Sequence, residues 1–199
     1  LRMLGIRQFV EVVLGSVGRA YYEVTSRDEI AMFPELWQSM FDEAMANGFT
    51  AGRLALDIRG ARGDRALLAG LLADVGRPIA LRMLATLIRG GLERPCDAVV
   101  LATLDEAAAE IGARTVATMA LPEELRAACI VDAESPTPDS LIARMVASIG
   151  AIQRRSPRIW ANAGDVRSAA ERLGLDPLMM RSQFAQRSQY VRHAQQVFG

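Results

Sequence analysis

Apolar positions recur at helical spacing along almost the whole chain. In "RQFVEVVLGSVGRAYY", Phe9, Val10, Val13 and Val17 fall on one face, with Leu14 beside them. Ser26 and Glu29 in "TSRDEI" have the spacing of a capping box, in which each side chain satisfies the other's free backbone amide. Pro34 can open the next helix, where its missing N–H costs nothing. Leu36, Trp37, Met40, Phe41 and Ala44 then form a broad apolar stripe that reads as core. Residues 65–75 are apolar on nearly every face through Leu67, Leu68, Leu71, Leu72 and Val75, which predicts a central buried helix. Gly76 is placed to supply its left-handed C-cap.

A further helix is predicted from about 79 to 89, ending at Gly90-Gly91. Thr103 and Glu106 have capping-box spacing ahead of Ala107, Ile111, Val116 and Met119. "LPEEL" restarts the chain at Pro122, with two acids near the positive helix end. "SPTPDS" reads as a loop, and Pro138 begins a helix carrying Leu141, Ile142, Met145, Val146 and Ile149. Only "DAVVLAT", residues 97–103, also suits a strand, and it is too short for pattern to decide. The expectation is an all-α bundle of about eight to ten helices with short connections. The core should bury Trp37, Leu68, Leu71, Leu72, Ile111 and Leu125. With no internal repeat and no boundary in composition, residues 1–199 read as one domain, of which 138–199 is a helical tail.

Composition narrows the function classes. The 23 basic residues, all arginine, balance 23 acidic ones, so no global charge steers the chain toward nucleic acid or an anionic membrane. No uncharged apolar run approaches the roughly 18 residues of a membrane span. Arg7, Glu11 and Arg19 interrupt the first apolar stretch, which excludes a signal peptide. Cys96 and Cys129 fit neither a disulfide framework nor a zinc site, in keeping with a reducing cytoplasm. The chain opens on Leu1 already inside an apolar pattern, as if cut within a domain.

Several segments, in order, resemble the HDOD domain, a signalling relative of the HD phosphohydrolase superfamily. "MLGIRQFVEVVL", "LWQSMFDEAMANGFTAGRLA", "ALLAGLLADVGRPIAL" and "AAAEIGARTVATMALPEELRAACI" look like successive helices of that domain. "GDVRSAAERLGLDPLMM" resembles its close. The resemblance implies that the chain holds the C-terminal two thirds of the domain, the family's first helices preceding "MLGIRQ".

Catalytic HD proteins hold a divalent metal through histidines and an aspartate, and the metal activates water or polarises a phosphoryl oxygen. Carried over by position, the resemblance puts Ser39 at the first histidine and Ala73-Asp74 at the His-Asp pair. Ala108 stands at the next histidine, and Asp132 and Ala133 at the last two. Asp74 alone keeps its identity. The one histidine of the sequence, His193, lies outside all these positions. A lone carboxylate among alanines cannot hold the transition ions that imidazole suits, so no metal and no cofactor are expected. A carboxylate-only magnesium site from Asp74, Glu110 and Asp132 is the remaining metal option. Asp74 itself is expected to be partly buried and paired with an arginine such as Arg77 or Arg114.

Other chemistry finds less support. Neither cysteine has an identifiable base. The glycines of "GRLALDIRGARGDRALLAG" lack the strand–loop–helix context of a phosphate loop. The arginines of "QRRSPR", residues 153–158, read as a solvated helix end. "VRSAAERLGLDPLMMRSQFAQ" has helix-turn-helix spacing, with Ala170, Gly174 and Met180 at the small, turn and apolar positions. On that alternative Arg181, Gln183 and Arg187 would contact DNA. The sequence therefore reads as a non-catalytic bacterial signalling module acting through protein–protein contacts. The resemblance implies receiver, cyclic-dinucleotide or kinase modules as partners, and neither nucleic acid nor membrane is expected. The alternatives are a divergent metal phosphohydrolase and a helix-turn-helix regulator.

Overall fold

The computed structural model describes residues 27–119, 121–129, 136–155 and 164–187, together with 189, 190, 192 and 196. Among them are helices α1 (Arg27–Met32), α2 (Pro34–Leu54), α3 (Gly63–Leu72), α4 (Gly76–Arg89) and α5 (Asp97–Thr118). Then come α6 (Glu123–Cys129), α7 (Pro138–Arg155), α8 (Gly164–Leu173) and α9 (Pro177–Ala185). A short 3-10 turn, Ala55–Asp57, closes α2. The described residues contain no strand, so the all-α expectation holds. The apolar stretch through Phe9, Val10, Val13 and Val17 lies outside them.

α3 is central because its sequence is apolar on all sides, and each side meets a different cluster. Leu67 and Leu71 pack with Trp37, Met45, Leu81 and Leu104. Ala66 faces Leu54, Ile142, Met145 and Ile149. Ala69 and Leu72 meet Val116, Leu125 and Ala128. Glycines set how closely α2 and α3 cross. A Cβ on Gly70 would lie 2.9 Å from Gly48 Cα and 2.8 Å from Asn47 O. The fully buried Ile142, Val146 and Ile149 of α7 press on the second side of this pair. Asp139, in the first turn of α7, accepts a 2.7 Å bond from Arg62 N just before α3. That bond ties the start of α7 to the start of the central helix.

Several local expectations are corrected. Segment 97–103 is the first part of α5, a helix whose N-cap is Cys96. Thr103 is therefore interior, and its hydroxyl donates to Val99 O at 2.9 Å instead of forming a capping box with Glu106. Gly76 does not cap α3 in the left-handed region; positive φ occurs at Gly60, Gly91 and Gly174. It begins α4, three residues before the predicted start. Ser26 lies outside the described residues, and Glu29 is buried, with its carboxylate accepting from Arg89 at 2.9 Å. Trp37, Leu71, Leu72 and Leu125 are buried as expected. Leu68 and Ile111 are half-buried on the margins of the core.

Candidate functional site

The turn between α3 and α4 carries Ala73, Asp74 and Val75. Ala73 N still bonds to Ala69 O at 2.9 Å, while Val75 N takes Leu72 O at 3.0 Å and Arg77 N takes Asp74 O at 3.1 Å. The chain thus changes direction without leaving helical hydrogen bonding, and Asp74 projects from the bend. Immediately afterwards, Gly76 meets α5 at backbone contact. A Cβ there would lie 1.8 Å from Ala108 O and 2.7 Å from Gly112 N. This crossing brings Arg77 to Asp105, which accepts from its Nη1 across 28 residues of sequence.

Beside the bend is a cavity of about 790 Å³, walled by the 73–77 turn, α5, α6, α7 and α8. Its charged lining is Asp74, Arg77, Asp105, Arg144, Arg154 and Arg172. Arg154, near the end of α7, bonds to Glu43 of α2 and lies 3.5 Å from Asp74 and 3.8 Å from Asp105. Arg77 Nε stands 4.0 Å from Asp74. Two guanidinium groups thus serve three carboxylates.

Asp74 titrates unusually high. Burial pushes its carboxyl up to about 6, Arg154 and Arg77 pull it down, and the neighbouring Glu43 and Asp105 charges add to the rise. Cys129, on the same wall, donates its thiol to Leu72 O at 3.1 Å. Burial first, and then the Asp74 charge, pushes that thiol up to about 12. It is not a nucleophile at neutral pH.

The cavity gathers part of the predicted site. Ala73, Asp74 and Ala108 line it. Ser39 does not: it lies on the exposed face of α2, because Trp37, Met40 and Ala44 turn the buried face the other way. Glu43, one turn later, is the residue of α2 that reaches the site. Glu110 also points away, paired with Arg114 at 2.6 Å on the surface of α5. That orientation takes it out of the proposed magnesium trio and takes Arg114 away from Asp74. Asp132, Ala133 and His193 lie outside the described residues.

Asp105, Arg144 and Arg172 were missed in the sequence, and Arg154, read with the arginines of 153–158 as a solvated helix end, turns inward instead, its side chain 19% exposed and paired with Glu43. Asp105 had a usable signal, since positions 105, 108, 109 and 112 share one face of a helix. The three arginines had none, being remote in sequence and unremarkable in a chain rich in that residue.

Among the described residues, the donor set does not fit a metal. The side chains of Ala73 and Ala108 supply no lone pair, and Asp74 and Asp105 already face arginines. Among the described residues, no three His, Cys, Asp or Glu side chains come together as a metal site.

The possible DNA-contacting residues are also placed. α8 and α9 are joined by Gly174 at φ +64°, and Asp176 caps α9 by accepting from Leu178 N at 2.9 Å. Met180 is buried and Arg181 exposed. The Gln183 side chain lies outside what is described. Arg187 turns inward and donates to Asn47 Oδ1 at 3.0 Å. Burial lowers its pKa, with Glu43 opposing and Arg154 adding to the fall.

A family profile for the HDOD domain matches residues 1–134. The chain belongs to the HDOD family. That span carries the α3–α4 bend, Asp74 and the α5 face with Asp105 and Ala108. The HDOD match ends before α7, so Arg144, Arg154 and Arg172 come from beyond it. Comparison with curated proteins and with solved structures gives no match. Membership makes this a signalling-type domain related to the HD group. No helix among the described residues is long and apolar enough to cross a membrane.

Proposed function

We propose that this HDOD domain is a non-catalytic signalling module of the bacterial cytoplasm, acting through protein–protein contacts. One observation carries the reading. At the bend where the resemblance implies a metal-binding His-Asp pair, Ala73 replaces the imidazole and Arg154 and Arg77 supply the positive charge beside Asp74. A cation entering there would have to displace two tethered guanidinium groups while gaining few donors.

The outer face of α4 favours contact with other proteins. Met83 and Leu87, one turn apart, are more than half exposed, and Leu92 beyond the helix is also exposed. Receiver, cyclic-dinucleotide or kinase modules, on the same chain or on another, are the partners the family suggests. The inward turn of Arg187 weighs against the DNA-reading alternative, since that cation is engaged with Asn47.

Elemental analysis after incubation with Mn, Fe, Zn and Mg salts, followed by phosphomonoesterase and phosphodiesterase assays, tests the proposal. We expect substoichiometric metal and no turnover. Stoichiometric metal with a turnover that Asp74→Ala abolishes would establish a divergent phosphohydrolase instead.

A further inference from the structure

Three elements meet around Arg187. On α2, Glu43 and Asn47 stand one turn apart and share a face. On α7, Gly150 and Arg154 are spaced in the same way. Arg187, just beyond α9, reaches between these two pairs. Its Nη2 donates to Asn47 Oδ1 at 3.0 Å and its Nη1 to Gln153 Oε1 at 3.5 Å. Gly150 leaves the room for it: a Cβ there would lie 3.0 Å from Arg187 Nη2 and 3.1 Å from Asn47 Oδ1.

Arg187 belongs to a strap laid over α2. Gln189 N and Tyr190 N both bond to Gln186 O, at 2.8 and 3.2 Å, so helical hydrogen bonding resumes after α9. At that spacing Phe184, Arg187 and Tyr190 fall on one side. Phe184 joins the apolar cluster of Leu54, Ile142 and Ile149. The Tyr190 ring lies 6.3 Å from that of Phe49, centroid to centroid. Asn47, Phe49 and Leu54 lie inside the span matched to the HDOD family, and the strap lies beyond it.

The polar grip of this strap is incomplete. Both acceptors of Arg187 are neutral amide oxygens, and its Nε and Asn47 Nδ2 are buried without a hydrogen-bond partner. Neutral acceptors hold a buried guanidinium less firmly than a carboxylate does. Glu43, one turn from Asn47, is bonded to Arg154 instead. Arg154 also lies 3.5 Å from Asp74 and 3.8 Å from Asp105, so it faces three carboxylates while Arg187 is left with amides. Burial lowers the Arg187 pKa, and the Glu43 charge opposes that fall.

We propose that the strap carrying Phe184, Arg187 and Tyr190 is releasable, and that Glu43, divided between Arg154 and Arg187, couples its hold to the Asp74 cluster. Where Arg154 keeps Glu43, as in this structure, Arg187 has only amides and the strap opens readily. Where Arg154 is drawn wholly to Asp74 and Asp105, Glu43 turns to Arg187 and the strap tightens. A change at the Asp74 cavity thereby reaches the C-terminal segment. The device does not depend on the domain being non-catalytic.

Native-state amide exchange of the whole chain, followed by NMR, tests this. Phe184 and Gln186 should exchange through a local opening that low urea does not alter, whereas Leu71 and Ile149 should need global unfolding. Arg154→Gln should slow exchange at Phe184 and Gln186 about tenfold, the gain expected when a charged acceptor passes to Arg187. Glu43→Gln should speed it. In an Arg187→Gln background neither substitution should change it. Exchange of Phe184 and Gln186 only by global unfolding would overturn the proposal, as would Arg154→Gln that leaves or speeds their exchange. Effects that persist without Arg187 would overturn the coupling. If Arg154→Gln loses its cooperative melt, Glu43→Gln decides: faster exchange that depends on Arg187 supports the strap, and unchanged exchange refutes it.

Discussion

Burial costs the Asp74 carboxylate more than Arg77 and Arg154 return, and this has a thermodynamic consequence. A carboxyl whose folded pKa is about 6, against 3.8 in the unfolded chain, binds its proton more tightly when folded. Its contribution to stability is complete below the unfolded pKa and is lost as pH rises through about 6. The change is on the order of 3 kcal/mol. Urea melts of the parent between pH 4 and 7 should show this decline, and Asp74→Asn should flatten it. At neutral pH the Asn variant should be as stable as the parent or more so. A variant with the parent's pH profile would show that Asp74 is not the titrating group.

The two cysteines differ for the same reason of solvation. Cys96 is exposed and Cys129 buried with its thiol pushed up to about 12. Alkylation of the native protein should modify Cys96 alone, and Cys129 should react only on unfolding. The burial of Asp74 was legible in the sequence, and of the two arginines expected beside it, Arg77 and Arg114, the structure brings only Arg77, three residues away in the same bend. Arg154 was not legible, because eighty residues separate it from Asp74.

Between elements, glycine decides the spacing. Gly76 lets α4 start against the backbone of α5, and nothing larger than its hydrogen fits beside Ala108 O. Gly76→Ala should force the two helices apart, separate Arg77 from Asp105, and destabilise by roughly 3 kcal/mol in denaturant titration. Gly164→Ala is the control. A Cβ there meets nothing within 4 Å, and its backbone is not left-handed, so little change is expected. Periodicity found α2, α3 and α7 well, since each has a wide apolar face. It misjudged the start of α5. Asp97 to Leu101 reads as strand-like in isolation, and Thr103 with Glu106 imitates a helix beginning. Neither signal can compete with the burial of Val100 and Leu104 one turn apart in the core.

At the scale of the whole molecule, the segment beyond the HDOD match is structurally part of the same body. Ile142, Met145, Val146 and Ile149 close a cluster with Ala51, Leu54 and Ala66 of the matched region, and Phe184 of α9 joins it. A chain ended after residue 134 would expose that face. Such a truncation should lose cooperative thermal unfolding and bind a hydrophobic dye, while the full chain should do neither. Asp139→Ala probes the same junction more gently, because Arg62 N loses its buried acceptor at a cost of about 1–2 kcal/mol.

The sequence by itself determined the helical class, the central place of the 63–72 helix and the family. It also put Ala73 and Ala108, in place of imidazole, at positions where the resemblance to the family implies metal ligands. These follow from residue type and from spacing within a few turns, which local geometry converts directly into structure. Only the tertiary structure decided that Ser39 and Glu110 face solvent, that Asp105 and Glu43 face inward, and that Arg154 of α7 reaches Asp74 while Arg172 of α8 lines the same cavity. Helical phase over twenty residues and contacts across eighty depend on how whole helices cross. Those crossings are set by backbone contacts at Gly48, Gly70 and Gly76, which the pattern of apolar and polar residues does not record.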